Sequence, residues 1–159
     1  MTCAIGAISA QGCWTSQAGF SDGALETHST VLENGVDAII DTIMGSNQPV
    51  NVIGIGPLTN IAEALKRRPE IAQNATFVGM CGSVRVGYRG AETPSAEYNV
   101  FADIPAAQTA LSANWDMTIT PLDSCGSVVL KAAGYQRFYD HARSHPGSMA
   151  EAVLENYRL

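Results

Sequence analysis

The chain has few charged residues, no excess of basic ones and no long apolar run. Only 15% of its 159 residues are charged and the net charge is -6. This charge argues against a nucleic-acid backbone as partner, because proteins that bind one usually carry a basic face. No apolar run approaches membrane-spanning length, and the N-terminal residues lack the basic region of a secretory signal. The cytoplasm is therefore the expected location, with no membrane partner.

Recognisable cysteine pairing is also lacking. The four cysteines are widely scattered, with neither a C-x-x-C pair nor zinc-site spacing: Cys3, Cys13, Cys81 and Cys125. This pattern favours free thiols in a reducing compartment over a disulfide framework. What the chain does contain is 46% hydrophobic residues, 15 glycines and 7 prolines. That composition is typical of a loop-rich α/β protein with one core, either a single domain or part of one.

Hydrophobic periodicity predicts alternating helices and strands after a loop-like start of 28 residues. The expected strands are buried runs at 50–55, 76–80 and 117–120. The expected helices lie at 29–44, 61–67 (capped by Thr59 or Asn60), from Pro69, at 104–112, and from 124 to the end. Strands that alternate with helices imply right-handed crossovers. The sequence therefore predicts an α/β fold with an open, mostly parallel sheet and flanking helices.

A polar pair follows the second predicted strand. If residues 95–103 are extended, Glu97 and Asn99 point to the same side while Tyr98 points away. A carboxylate beside an amide can hydrogen-bond to vicinal hydroxyls, which suggests a sugar-binding edge. The competing interpretation is a polar strand end beside a turn. Because ligands bind at the carboxyl ends of parallel strands, the position of this pair favours a functional role.

Several segments, in order and in register, resemble one known family. They are Gly56-Pro57-Leu58-Thr59-Asn60-Ile61-Ala62 with Pro69-Glu70-Ile71, Met80-Cys81-Gly82, Ala96-Glu97-Tyr98-Asn99 and Thr120-Pro121-Leu122-Asp123. They resemble the G-P-L-T-N-I-A…P-E-I, M-G-G, A-E-[FY]-N and V-P-L-D motifs of inosine–uridine-preferring nucleoside hydrolases. The resemblance implies a Rossmann-like fold.

The resemblance also implies hydrolysis of the N-glycosidic bond of a ribonucleoside, a small-molecule substrate, with one Ca²⁺ as cofactor. Glu97 and Asn99 match the ribose-gripping residues of the family, and Met80 matches a methionine beneath the sugar. Ile55 matches the position whose main-chain carbonyl binds calcium. Full-length members are expected to be homo-oligomers.

Some family features are missing from the sequence. Neither the N-terminal D-x-D-x-x-x-D-D strand motif nor the C-terminal His-Asp occurs, and Ala91 replaces a ribose-contacting asparagine. Residues 1–159 are therefore expected to form a partial, incomplete domain without the catalytic aspartate, and to turn over little substrate alone. Asp37 and Asp41 are interpreted as a solvated helix face, and His141 and His145 as surface residues.

Two other functions stay open at this point. One is a non-catalytic remnant or pseudoenzyme that weakly binds ribose or nucleoside through Glu97 and Asn99. The other treats residues 82–90 as a phosphate cradle, although the loop lacks the P-loop pattern and does not lead directly into a helix. The residues that would face the base are expected largely outside this chain, so the sequence predicts no base preference.

Overall fold

The computed structural model describes Leu32 and residues 34–157, and divides them into two compact units. The first runs to Ser127 and the second begins at Val128. Each unit is described by itself. The loop predicted for residues 1–28, with Cys3, Cys13 and His28, lies outside the described residues. Along the described part of the chain, no helix is both long enough and apolar enough to cross a membrane.

The first unit alternates helices with strands in the predicted order. Its elements are α1 (Gly35–Met44), β1 (Val50–Gly54), α2 (Thr59–Arg67), β2 (Ala75–Gly79), α3 (Tyr98–Phe101), α4 (Ile104–Leu111), β3 (Asp116–Ile119) and α5 (Leu122–Cys125). Short 3-10 turns lie at Pro69–Gln73 and Tyr88–Gly90. The strands form a parallel sheet in the order β1-β2-β3. The predicted α/β class with a parallel sheet is confirmed.

The core lies on one face of this sheet, around Phe77. Phe77 is 0% exposed, and its ring stacks on Trp115 with the centroids 5.0 Å apart and the planes 8° apart. Ile43 of α1, together with Leu58 and Ile71, packs into the same cluster. The helices thus bury apolar residues, which recur every three or four positions, against the middle strand.

Two predicted helix starts are wrong. Leu32 and Asn34 are not helical, and α1 begins only at Gly35 because the Asn34 side chain caps it by accepting from the Asp37 amide. For α2, the capping position is Leu58 rather than Thr59 or Asn60. The Thr59 hydroxyl does not cap the helix because it donates to Asp103, 2.7 Å away.

β1 is less buried than predicted. Its residues alternate between partly buried and exposed until Gly54, and Ile53 is 70% exposed. Ile55, just beyond the strand, is 78% exposed. Among the described residues β1 pairs only with β2, and only the face that carries Val50 and Val52 meets the core. The prediction of a fully buried run fails because the pleat sends alternate side chains to the open face.

The second unit is helical, as predicted for the end of the chain. It consists of α6 (Ala132–Ser144) and α7 (Met149–Tyr157), which pack together around Ala142 and Leu154. Gly147 between them has a φ of 80°, the left-handed conformation that favours glycine in a tight connection. His141 and His145 are exposed. The prediction of surface histidines is confirmed.

Candidate functional site

The carboxyl edge of the sheet brings three chain segments side by side. Beyond the strands, the Met80 amide donates to the Gly54 carbonyl at 2.9 Å. The Thr120 amide likewise donates to the Gly79 carbonyl at 2.7 Å. These bonds extend the ladder past the last strand residues and align the backbone at Met80 and Thr120. Ile55 and Met80 therefore lie at one edge, where parallel sheets bind ligands.

Glu97 caps a helix rather than lying on an extended edge. It precedes α3, and its carboxylate accepts from the Asn99 amide at 2.9 Å and the Val100 amide at 3.3 Å. It also accepts from the Gly82 amide at 2.9 Å. The strand prediction for this segment is wrong because a capping carboxylate satisfies the first amides of a helix, which an extended chain would direct elsewhere. The burial agrees with the expectation that Glu97 and Asn99 point to one side and Tyr98 to the other, because Glu97 and Asn99 are buried and Tyr98 is exposed.

Asn99 is held against Met80 by its amide group. Its Nδ2 donates to the Met80 carbonyl at 2.8 Å and lies 3.3 Å from the Met80 sulfur. Because a carbonyl can only accept, Nδ2 must face Met80, and this fixes the orientation of the amide. No group among the described residues donates to Asn99 Oδ1. The structure thus brings Met80 and Asn99 together and leaves one fixed acceptor available.

A glycine-rich loop over residues 82–95 is organised by Asp123, a role that the sequence analysis missed. The Asp123 carboxylate accepts from three successive amides: Val84 at 2.8 Å, Arg85 at 2.8 Å and Val86 at 3.2 Å. The only sequence signal was an aspartate shortly after the third strand, within the residues that form α5. These amides are already used, as is that of Gly82, so the hypothesis of a phosphate cradle loses most of its donors.

Hydrogen bonds within the same loop fasten it to α3. The Tyr88 hydroxyl accepts from the Tyr98 amide at 2.7 Å, and the Tyr88 amide donates to Ser95 Oγ at 3.2 Å. A Cβ on Gly87 would lie 2.5 Å from the Thr93 carbonyl oxygen and would also clash with Ser95 Oγ, so only glycine fits this crossing. Ala91 is exposed on the loop. These two bonds attach the loop to the chain just before Glu97, at Ser95, and just after it, at Tyr98.

A separate bond connects the loop after β1 to the segment after α3. Thr59 at the start of α2 donates its hydroxyl to Asp103, which also accepts from the Ala106 amide at 3.0 Å and so caps α4. The Thr59 bond is the main reason that the pKa of the Asp103 carboxyl is lowered. The bond fixes the loop that contains Ile55 with respect to the segment that follows Asn99.

Comparison with known proteins identifies the family behind this geometry. The sequence model described as inosine-uridine preferring nucleoside hydrolase matches residues 8–159. The chain belongs to this nucleoside hydrolase family. It is 31% identical over 144 residues to the pyrimidine-specific ribonucleoside hydrolase RihA of Salmonella agona, an alignment that covers 89% of this chain and 45% of RihA.

Solved nucleoside hydrolases share the fold. The inosine-uridine preferring nucleoside hydrolase from Bacillus anthracis aligns with a TM-score of 0.63 and 23% identity, over 76% of this chain and 42% of that one. The purine-preferring ribonucleoside hydrolase from Gardnerella vaginalis aligns with a TM-score of 0.62 and 27% identity, over 71% and 35%. The chain spans less than half the length of these hydrolases. The predicted membership and fold are confirmed.

The residues described here do not by themselves fit the calcium ion expected for a nucleoside hydrolase. Ca²⁺ takes six to eight oxygen ligands, usually several of them carboxylates. Within residues 34–157, no three His, Cys, Asp or Glu side chains are grouped so that they could hold a metal. Asp37 is exposed and paired with Arg67 at 3.1 Å, as expected for a solvated face. Ile55 offers one main-chain oxygen, so no reaction step is assigned to the metal.

We expect acid to weaken the first unit through Asp123. The hydrogen bond from the Val84 amide is the largest cause that lowers the pKa of this carboxyl. A carboxyl with a lowered folded pKa stabilises the fold above its unfolded value, about 3.9, and this contribution is lost as pH falls through the folded value. Urea unfolding from pH 5 to pH 2.5 should show a smaller loss of stability in Asp123→Asn than in the parent. Asp116→Asn, at an exposed carboxylate, is the matched control, and equal pH profiles for all three proteins would contradict this role.

Proposed function

We propose that this chain supplies the ribose-binding part of a ribonucleoside hydrolase. In the reaction, a water oxygen bonds to C1′, the N-glycosidic bond breaks, and the base leaves with a proton as ribose is released. The observation that carries the proposal is the fixed Asn99 amide, which leaves Oδ1 as an acceptor at the carboxyl edge. Membership of the nucleoside hydrolase family supports the same substrate class.

In this proposal the residues of the chain bind and orient the sugar. Asn99 Oδ1 accepts a hydrogen bond from a ribose hydroxyl, since its own Nδ2 is occupied by Met80. Each oxygen of Glu97 already accepts at least one amide, so a second hydroxyl would use a remaining lone pair. The Met80 side chain, partly buried beside Asn99, gives the sugar an apolar floor.

Calcium belongs to the proposal only as an expectation from the family resemblance. The Ile55 carbonyl would be one of its ligands, and the other oxygens would come from outside residues 34–157. Bound there, calcium would supply positive charge to hold ribose hydroxyls and water. We accordingly propose that residues 1–159 correspond to part of a nucleoside hydrolase domain, and that this chain alone has little or no turnover.

The test is ribose and inosine binding by the 159-residue chain, followed by the chemical shifts of the Met80 and Gly82 backbone amides, which every variant retains. We expect saturable shifts at millimolar ligand, and Asn99→Ala should weaken binding by about tenfold, the equivalent of one lost hydrogen bond of about 1.4 kcal/mol. Asn114→Ala, an exposed asparagine of the same unit, should bind as the parent does. Absence of shifts, or equal binding by Asn99→Ala, would contradict the proposed ribose site.

A second candidate function is a non-catalytic ribose or nucleoside binder. It is favoured by the lack, within the described residues, of any group of acids and histidines that could hold a metal. Release of reducing sugar from inosine and uridine, with and without Ca²⁺, separates this candidate from a hydrolase. Metal-dependent release by the pure chain would overturn both the expected inactivity and the non-catalytic candidate.

Location and assembly are further parts of the proposal. The described cysteines, Cys81 and Cys125, are both free, which supports a reducing compartment such as the cytoplasm. Self-association is supported by the exposed Ile53 and Ile55 on the open face of β1. The net charge of -6 supports a neutral small-molecule substrate over nucleic acid.

A further inference from the structure

Two histidines stack on each other at the end of α6, away from the residues that the proposed function uses. The ring centroids of His141 and His145 are 4.1 Å apart and the planes are 23° apart. Their spacing of four residues places them one above the other on the same helix face. His145 is the capping residue after Ser144, and both rings are exposed. The pair is thus accessible to a ligand from solvent.

The backbone fixes which nitrogen of His145 is free. Nδ1 of His145 lies 3.0 Å from the His141 carbonyl oxygen. Nδ1 also lies 3.0 Å from Ser144 Oγ, whose own proton is directed at the Asp140 carbonyl, 2.7 Å away. Because both neighbours of Nδ1 can therefore accept, the neutral ring is assigned with its proton on Nδ1 and its lone pair on Nε2. Metal-binding histidines are typically prepared in this way, with one nitrogen donating to a carbonyl while the other binds the metal.

We propose that His141 and His145 bind a first-row transition-metal ion of the Zn²⁺ and Cu²⁺ class. Two histidines at this helical spacing are a recurring part of zinc sites. Two imidazoles on one tetrahedral ion, each bound at about 2.0–2.1 Å, have centroids about 5 Å apart. The observed 4.1 Å requires an opening of roughly 1 Å, which exposed rings reach by side-chain rotation. Water fills the other positions.

The charges on the same helix define how strong this site can be. Arg137, one turn before His141, and Arg143 oppose a cation. The Asp140 carboxylate, which accepts from Gln136 Nε2 at 2.8 Å, directly precedes His141 and so lies on a different helix face from the two histidines. The two imidazoles therefore carry the affinity, and they select zinc and copper over calcium and magnesium, which prefer oxygen ligands.

The experiment is a Zn²⁺ titration of the metal-free 159-residue chain, observed by the histidine ring proton signals and by calorimetry. We expect one equivalent to shift the signals of both His141 and His145. His141→Ala and His145→Ala should each weaken zinc binding by at least about tenfold, because loss of a ligand should cost at least as much as loss of an outer-shell partner. Mg²⁺ should produce no shift.

Two controls keep the outcome decisive. His28→Ala removes the remaining histidine and should bind zinc as the parent does. His141→Gln keeps a long side chain, so helix content measured by circular dichroism distinguishes a lost ligand from a lost helix. The proposal is overturned if excess zinc shifts neither ring, or if both alanine variants bind as tightly as the parent. No nucleoside is used, so this result is independent of the proposed hydrolase function.

Discussion

Phe77→Ala should destabilise the first unit by about 3–5 kcal/mol, the largest loss expected from any single substitution described here. Phe77 is fully buried in the middle strand and stacks on Trp115. Removing the ring therefore leaves a cavity and also deletes an aromatic pair. Urea unfolding followed by Trp fluorescence measures the loss directly. Because small domains have about 5–15 kcal/mol of stability, the substitution should remove a substantial fraction of it.

Phe101→Ala is the matched control for that prediction. Phe101 is 63% exposed at the end of α3, so the same atoms are removed from a site with little burial. Its expected cost is within about 0.5 kcal/mol, as for most surface substitutions. Equal destabilisation by the two substitutions would show that the core is not centred on Phe77.

Glu97→Ala should cost about 2–4 kcal/mol and release the glycine-rich loop. The substitution removes a helix cap and leaves the amides of Gly82, Asn99 and Val100 without their acceptor in a buried place. Hydrogen exchange should accelerate at these amides well before global unfolding. Glu97→Gln, which keeps one acceptor oxygen, should have an intermediate effect.

Glu92→Ala tests whether any change of charge in this loop has the same effect. Glu92 is exposed in the same loop. Its removal should change neither stability nor exchange at the amides of Gly82 and Val100. If Glu92→Ala and Glu97→Ala accelerated exchange equally, the capping role assigned to Glu97 would be wrong.

Much of the fold follows from sequence because its signals are local. Apolar periodicity and turn residues located each strand in the part of the chain that the structure describes, and strand–helix alternation indicated a parallel sheet. The errors lie where a distant partner decides. Thr59 resembles a cap in sequence, but Asp103, 44 residues away, takes its hydroxyl. Propensity rules consider only neighbouring residues, so they do not account for a distant acceptor that takes the hydroxyl.

The local structure around Glu97 and Asn99 was predicted only in part. The short spacing of Glu97 and Asn99 correctly placed both side chains on one buried side, but it suggested a strand where the chain forms a capped helix turn. A period of two and the first turn of a helix are not distinguishable over three residues. Asp123 was missed as the loop's anchor because its partners are backbone amides, which have no sequence signature.

The fixed amide of Asn99 has a consequence for selectivity. If Asn99 binds ribose as proposed, Nδ2 is already directed at the carbonyl and the sulfur of Met80, so the group facing the sugar can only accept. A sugar that lacks the matching hydroxyl would bury Oδ1 without a donor, and a buried polar atom without a partner costs about 1–3 kcal/mol. The hydrogen bond between Asn99 and Met80 would thus impose a free-energy penalty on the binding of deoxy-sugars, because it leaves Oδ1 in need of a donor that such sugars lack.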